Sequence, residues 1–352
     1  MKNTLSSLFL TLSLAVVLST GNARESDKTT ANLSPTLNNG KLVVDGTTFD
    51  IKGICWNPIP KGEKHPEGLA YVPGSPGYSL SFVETDLRLI AEAGFNTIRP
   101  YKAITNPEVL DLIQQHGLKV IVPVFNYYKT TDEEIRESVL ALKDHPTTLL
   151  LEVGNEWNYN NLYNYQGNFD STVKRIQEAI TIIRSIDDSL LIASNYGEIP
   201  SKKTIAKIDA DLWGLNIYRS DNFKNLFTQW RKVSDKPIYI GEYGADAIDN
   251  RKGDGKYAPD AQAHAVEKLT LQIISQYASQ NRGQVLGGAL FEFSDEWWKD
   301  GKGLASEHDI GGIAPGGGPY PDLEFNEEWW GIVDIDRNPR LAYHAIKKIY
   351  AP

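Results

Sequence analysis

Along most of the chain, short unbroken apolar runs alternate with longer stretches whose apolar residues recur every three to four positions. The runs fall near residues 51–55, 97–99, 120–124, 149–153, 190–193, 212–217, 238–241 and 288–293. Unbroken runs of this length, rather than alternating ones, predict strands buried on both faces, as in parallel sheets. The stretches between them carry helix start and stop signals. Ser81 and Glu84 have capping-box spacing, as do Thr131 and Glu134. Asn106-Pro107 opens a helix that Gly117 closes. Residues 171–184, 259–280 and 341–350 also read as helices, and 202–208 offers a weak fifth one. A hairpin precedes the series: Lys41–Val44, a turn at Asp45-Gly46, then 49–54. Eight strand-and-helix units predict a single (β/α)8 TIM barrel of the α/β class over residues 41–352, with a long loop after the eighth strand at 294–330. An open doubly wound sheet would need G-x-G-x-x-G after an early strand, and none occurs there.

The first residues break this pattern. Lys2, an apolar run over 8–18 and the small residues Gly21-Asn22-Ala23 make a secretory signal peptide over 1–23, cleaved after Ala23. Residues 24–40 are polar and aperiodic and read as a flexible leader. The expected destination is the periplasm or the exterior. The apolar run is too short to span a bilayer and no other long one follows, so no membrane span is expected. A monomer is expected.

Composition narrows the function classes. Of 352 residues, 41% are apolar and 23% charged, as in ordinary globular proteins. The net charge of −9 argues against general binding of nucleic acid. Cys55 is the lone cysteine, so neither an intramolecular disulfide nor a cysteine zinc cluster can form. The six histidines form no H-E-x-x-H, and no G-x-S-x-G elbow occurs. No cofactor or catalytic metal is expected. His308-Asp309, in the long loop, is where a calcium ion could bind.

Active sites of such barrels lie at the C-terminal ends of the strands. Arg99 ends the second run, Asn126 and Tyr127 follow the third, Asn155-Glu156-Trp157 the fourth, Tyr218 the sixth and Glu242 the seventh. Glu156 and Glu242 each follow a buried strand, where an unpaired charge is costly. Two carboxylates across a small gap are the machinery of glycoside cleavage, one giving a proton to the leaving oxygen and the other attacking the anomeric carbon or activating water.

Gly154-Asn155-Glu156 and Ile240-Gly241-Glu242-Tyr243-Gly244 resemble the signature of clan A retaining glycoside hydrolases. The resemblance implies Glu156 as acid/base and Glu242 as nucleophile. It implies Asn155 on the sugar 2-hydroxyl, Arg99 and Tyr218 in contact with the nucleophile, and Trp297, or the adjacent Trp298, under the sugar. Residues 328–334 and 337–343 are similar to the barrel domain of family 2, without its sandwich domains. Residues 52–54, 96–101 and 214–218 are similar to the family 72 and 17 group of β-1,3-glucan hydrolases and glucanosyltransferases, though the disulfides of yeast family 72 members cannot form here.

Aromatic residues Trp56, Tyr71, Tyr78, Tyr159, Tyr163, Tyr165, Trp298 and Trp329 lie in or beside loops that would wall a cleft. Trp56, Asn126 and Tyr127 are expected to bind substrate. The expected substrate is a neutral β-linked glucan or oligosaccharide, since a uronic acid polymer would want more cations than Arg99. Two alternatives accompany hydrolysis: transglycosylation on the same two glutamates, and a carbohydrate-binding barrel without catalysis.

Overall fold

The structure, a computed structural model, describes residues 34–126, 129–159, 168–253, 256–299 and 318–351. The predicted signal peptide, residues 24–33 of the leader, Tyr127, Tyr163, Tyr165 and His308-Asp309 lie outside the described residues.

The chain first forms a small antiparallel sheet of β1 (Thr36–Asn38), β2 (Lys41–Val44) and β3 (Thr47–Thr48). Its turn is at Asp45-Gly46, with φ of 50° and 75°, as a type I′ hairpin turn requires. Two differences from the expectation appear here. Regular structure begins inside the stretch read as leader, because Thr36–Asn38 pairs with β2. The hairpin partner is only Thr47–Thr48, and the following apolar run, β4 (Ile51–Cys55), leaves to join the barrel.

The barrel is closed by β4, β5 (Thr97–Arg99), β6 (Lys119–Phe125), β7 (Thr148–Val153), β8 (Ile192–Gly197), β9 (Leu212–Asn216), β10 (Ile238–Tyr243) and β11 (Val285–Leu290). Each strand pairs in parallel with the next, and β11 pairs with β4. The predicted (β/α)8 barrel with its N-terminal hairpin is therefore the fold. After the strands come α1 (Leu80–Glu92), α2 (Pro107–Gln115), α3 (Asp132–Leu142), α4 (Phe169–Ile186), α5 (Lys202–Ile205), α6 (Leu226–Val233), α7 (Pro259–Ile274) and α8 (Leu341–Tyr350).

Local chemistry sets these boundaries. The Thr131 and Glu134 capping box forms in both directions at α3, and Asn106 caps α2, which has Pro107 in its first turn. At α1 the cap is Ser79 rather than Ser81: its side chain accepts from Phe82 N–H. The helix predicted over 259–280 stops at Ile274, and Ala278–Gln280 follows as a separate 3-10 turn ended by left-handed Asn281.

Two ends of the barrel differ. At the N-terminal ends of the strands, Leu42 and Val44 of the small sheet pack on Ile51, Ile121, Leu150, Leu212, Tyr239 and Leu286, closing that end with apolar side chains. At the other end the polar residues gather. Among the described residues, no helix is long and apolar enough to cross a membrane.

Candidate active site

Arg99, the last residue of β5, is fully buried and organises the mouth. Its Nε and one terminal nitrogen donate to both oxygens of Glu152 at 2.9 and 2.8 Å. The other terminal nitrogen donates to Glu242 Oε1 at 2.8 Å. The Glu152-facing nitrogen also donates to Asn155 Oδ1 at 2.7 Å. A guanidinium with five fixed donors can do this where an ammonium cannot. Burial works against its charge, but Glu152, Tyr101 and Glu242 outweigh that and push its pKa well above the ordinary value.

Glu242 lies at the mouth end of β10 and is 6% exposed. Its Oε1 also accepts from the Tyr101 hydroxyl at 2.8 Å, and its Oε2 from the Tyr218 hydroxyl at 3.0 Å. Burial, the largest cause, holds both phenols well above their usual pKa, so they stay donors. One cation and two O–H groups thus orient both oxygens of a buried carboxylate.

Glu156 reaches the same mouth through a turn the sequence permits only with difficulty. Gly154 has φ 81°, and a Cβ there would meet Trp157 at 2.6 Å and Ile176 at 2.8 Å. Glu156 itself has φ 48°, uncommon for a residue with a side chain. Trp157 pins the turn, donating its indole N–H to Ser194 of β8 at 3.0 Å. Burial pushes the Glu156 carboxyl up to about 7, and the charge of Glu242 adds to this; the Asn216 hydrogen bond, Arg99 and Lys299 pull the other way. Desolvation is the main cause, with a like charge second.

Amides tie these groups together. Asn216 Nδ2 donates to Asn155 Oδ1 at 3.2 Å, and Asn195 Nδ2 donates to Asn216 Oδ1 at 2.9 Å. They fit because β10 carries Gly241, where a Cβ would lie 2.0 Å from Asn195 Nδ2 and 2.6 Å from Asn216 Oδ1.

The structure thus brings Arg99, Asn155, Glu156, Tyr218 and Glu242 together. The remaining expected residues make other contacts. Trp56 is fully buried and donates its indole N–H to Asp86 of α1 at 3.1 Å, so it is a core residue rather than a substrate contact. Tyr71 packs beside it at 5.6 Å. Asn126 is half-buried and donates to the backbone carbonyl of Tyr101, bracing that residue. Trp297 is buried and meets half-buried Trp298 edge-on at 5.9 Å, while Trp298 stacks on His65. The aromatic residue that follows β11 and faces Tyr218 is Phe291, with Trp330 at 5.4 Å from it. Lys299 Nζ lies 4.7 Å over the Phe291 ring and 2.6 Å from Glu296, with Glu327 at 3.3 Å. Cys55 is buried, and burial pushes its thiol up to about 12, as an inert cysteine should be.

Tyr101, Glu152, Asn195, Asn216 and Phe291 were missed as site residues. Glu152 had a signal, since a glutamate within the run 149–153 needs a buried cation. Phe291 had none, because the eighth strand ends three residues before its predicted limit. Among the described residues, no group of three or more histidine, cysteine or acidic side chains could hold a metal ion.

Comparison with known proteins fits this geometry. Residues 125–299 match the model of the TIM barrel domain of glycosyl hydrolase family 2. The mouse β-glucuronidase is 22% identical over 277 residues, covering 72% of this chain and 40% of that protein. A family 2 β-galacturonidase from Eisenbergiella tayi bound to galacturonate superposes with a TM-score of 0.63 at 21% identity, over 90% of this chain and 54% of the other. The β-glucuronidase of Ruminococcus gnavus in complex with D-glucuronic acid gives 0.65 at 16% identity, over 90% and 52%. The chain therefore spans about half, or less, of the length of these relatives. The resemblance to clan A glycoside hydrolase barrels, and to the family 2 barrel among them, is borne out.

Proposed function

We propose that the chain is a retaining β-glycosidase working on the barrel it shares with glycosyl hydrolase family 2, with Glu242 as nucleophile and Glu156 as acid/base. One observation carries the proposal: two glutamates at one mouth in opposite environments. Glu242 has both oxygens held by Arg99, Tyr101 and Tyr218, while burial and then Glu242 push Glu156 up to about 7. A carboxyl raised by burial beside a carboxylate held by a guanidinium and two phenols supports the first as acid and the second as nucleophile.

In the first step, Glu242 forms a bond to the anomeric carbon as the glycosidic C–O bond breaks. The Glu156 proton passes to the leaving oxygen. In the second step, Glu156, now a carboxylate, takes a proton from water as that water displaces Glu242 and restores both groups. Asn155, held through Arg99 and Asn216, is positioned to bond a sugar hydroxyl.

The neutral glucan expected from the lack of cations beside Arg99 gives way here. The proteins this chain resembles are named for β-glucuronides and β-galacturonides, so a β-linked uronide is the substrate class we propose. Lys299, although paired with Glu296 and Glu327, supplies a second cation near the mouth. Its charge is felt at Glu156, and its ammonium stands over Phe291 beside the mouth.

Turnover of aryl β-glucuronide, β-galacturonide, β-glucoside and β-galactoside by the chain tests both levels. Uronide turnover that is lost in Glu242→Gln is expected. Turnover of neutral glycosides alone would overturn the substrate class, and activity retained by Glu242→Gln would overturn the mechanism.

A further inference from the structure

We propose that Tyr159 is the floor of a leaving-group subsite, on which the apolar face of a sugar or aryl ring stacks beside Glu156. The proposal rests on the reading of Glu156 as the acid. A proton given by Glu156 goes to the leaving oxygen, so the group departing from the anomeric carbon lies on its side of the mouth and away from Glu242.

Tyr159 stands three residues beyond Glu156, and its backbone N–H donates to the Glu156 carbonyl at 2.9 Å. Its ring lies across Gly197 at the end of β8. A Cβ on that glycine would come within 2.4 Å of ring atoms Cδ2 and Cε2, so the glycine lets the ring rest on bare backbone. Asn158 clamps the same place from both sides, donating to Gly197 O at 2.9 Å and accepting from Gly197 N–H at 2.8 Å. Yet the side chain is 63% exposed. An aromatic ring fixed on one face and open on the other is already ordered for stacking, which lowers the entropy a ligand must offset.

Polar groups flank the ring. Arg219 Nε donates to Glu198 Oε1 at 2.9 Å, next to Gly197 in sequence. Partial burial raises the Tyr159 phenol, and the negative charges of Glu198 and Glu156 add to it, while Arg219 lowers it. An apolar face bordered by a carboxylate and a guanidinium suits a ring with hydroxyls at its edge. Sugar and aryl leaving groups share that apolar face.

Kinetics of the full chain, Tyr159→Ala and Tyr159→Phe would be measured on three β-glycosides of the sugar it turns over: methyl, phenyl and a disaccharide. Tyr159→Ala is expected to lower kcat/KM about tenfold or more on the phenyl glycoside, the disaccharide or both, chiefly through KM. It should leave the methyl glycoside unchanged, and Tyr159→Phe should restore the loss. Loss confined to one of the two larger substrates identifies which ring the floor takes. No loss on either, or equal loss on all three, overturns the subsite. Glu242→Gln separates the two readings: if it is inactive while Tyr159→Ala is unaffected, the subsite fails and the mechanism stands. If it keeps activity, the mechanism fails.

Discussion

Glu156 and Glu242 are both glutamates at one mouth, and their surroundings alone divide the roles proposed for them. Glu242 faces a guanidinium and two phenols. Glu156 sits by a pinned tryptophan and faces Glu242's charge, with its carboxyl near 7. A first prediction follows from the sign of that shift. As the proposed acid, Glu156 must be protonated to act, so kcat/KM should fall about tenfold per unit as pH rises above about 7. The native state also holds this proton more tightly than the unfolded chain does. Stability from it is therefore present at low pH and lost as pH climbs from the ordinary carboxyl range to about 7. Glu156→Gln should gain up to about 3 kcal/mol over the native protein at about pH 8 and nothing at about pH 4, read by urea unfolding at each pH. Both glutamates were legible in the sequence because a charged residue closing a buried run needs a partner, whereas the contacts of Arg99 and Tyr218 with Glu242 were implied by the resemblance to clan A barrels. Trp56 misled, since its indole N–H finds Asp86 in the core, a long-range pairing no local pattern reveals.

At the scale of elements, the amide pair Asn195 and Asn216 depends on a bare position on β10. Gly241→Ala would push a methyl within 2.0 Å of Asn195 Nδ2 and 2.6 Å of Asn216 Oδ1, with no slack in either amide. The expected outcome is a loss of roughly 1–3 kcal/mol in stability with a fall in kcat, because Asn216 also bonds Glu156. Denaturation and steady-state kinetics of one preparation check both. Elements with strong local chemistry matched the sequence well: the Thr131 box, the Asn106 cap and the Asp45-Gly46 turn. Those fixed by tertiary pairing did not. β8 runs to Gly197 and β11 ends at Leu290, because each follows its neighbours in the barrel rather than its own apolar limits. The helix α6 follows the same rule, its Leu226 and Trp230 buried against the barrel without a side-chain cap at its start.

Across the whole molecule, stability and chemistry occupy opposite ends. The small N-terminal sheet seals one end with Leu42 and Val44, while Arg99, Glu156 and Glu242 converge at the other. Leu42→Ala should therefore cost roughly 2–5 kcal/mol and leave kcat/KM unchanged at temperatures where the protein stays folded. A parallel loss of activity would show that the sheet reaches the mouth. The central claim is that Glu242 forms a covalent bond to the sugar. Incubation with a fluorosugar that slows the second step, followed by mass spectrometry of the digested protein, tests it most directly. The account predicts one sugar attached to the peptide bearing Glu242; a label on Glu156, or steady turnover with no label, would contradict it.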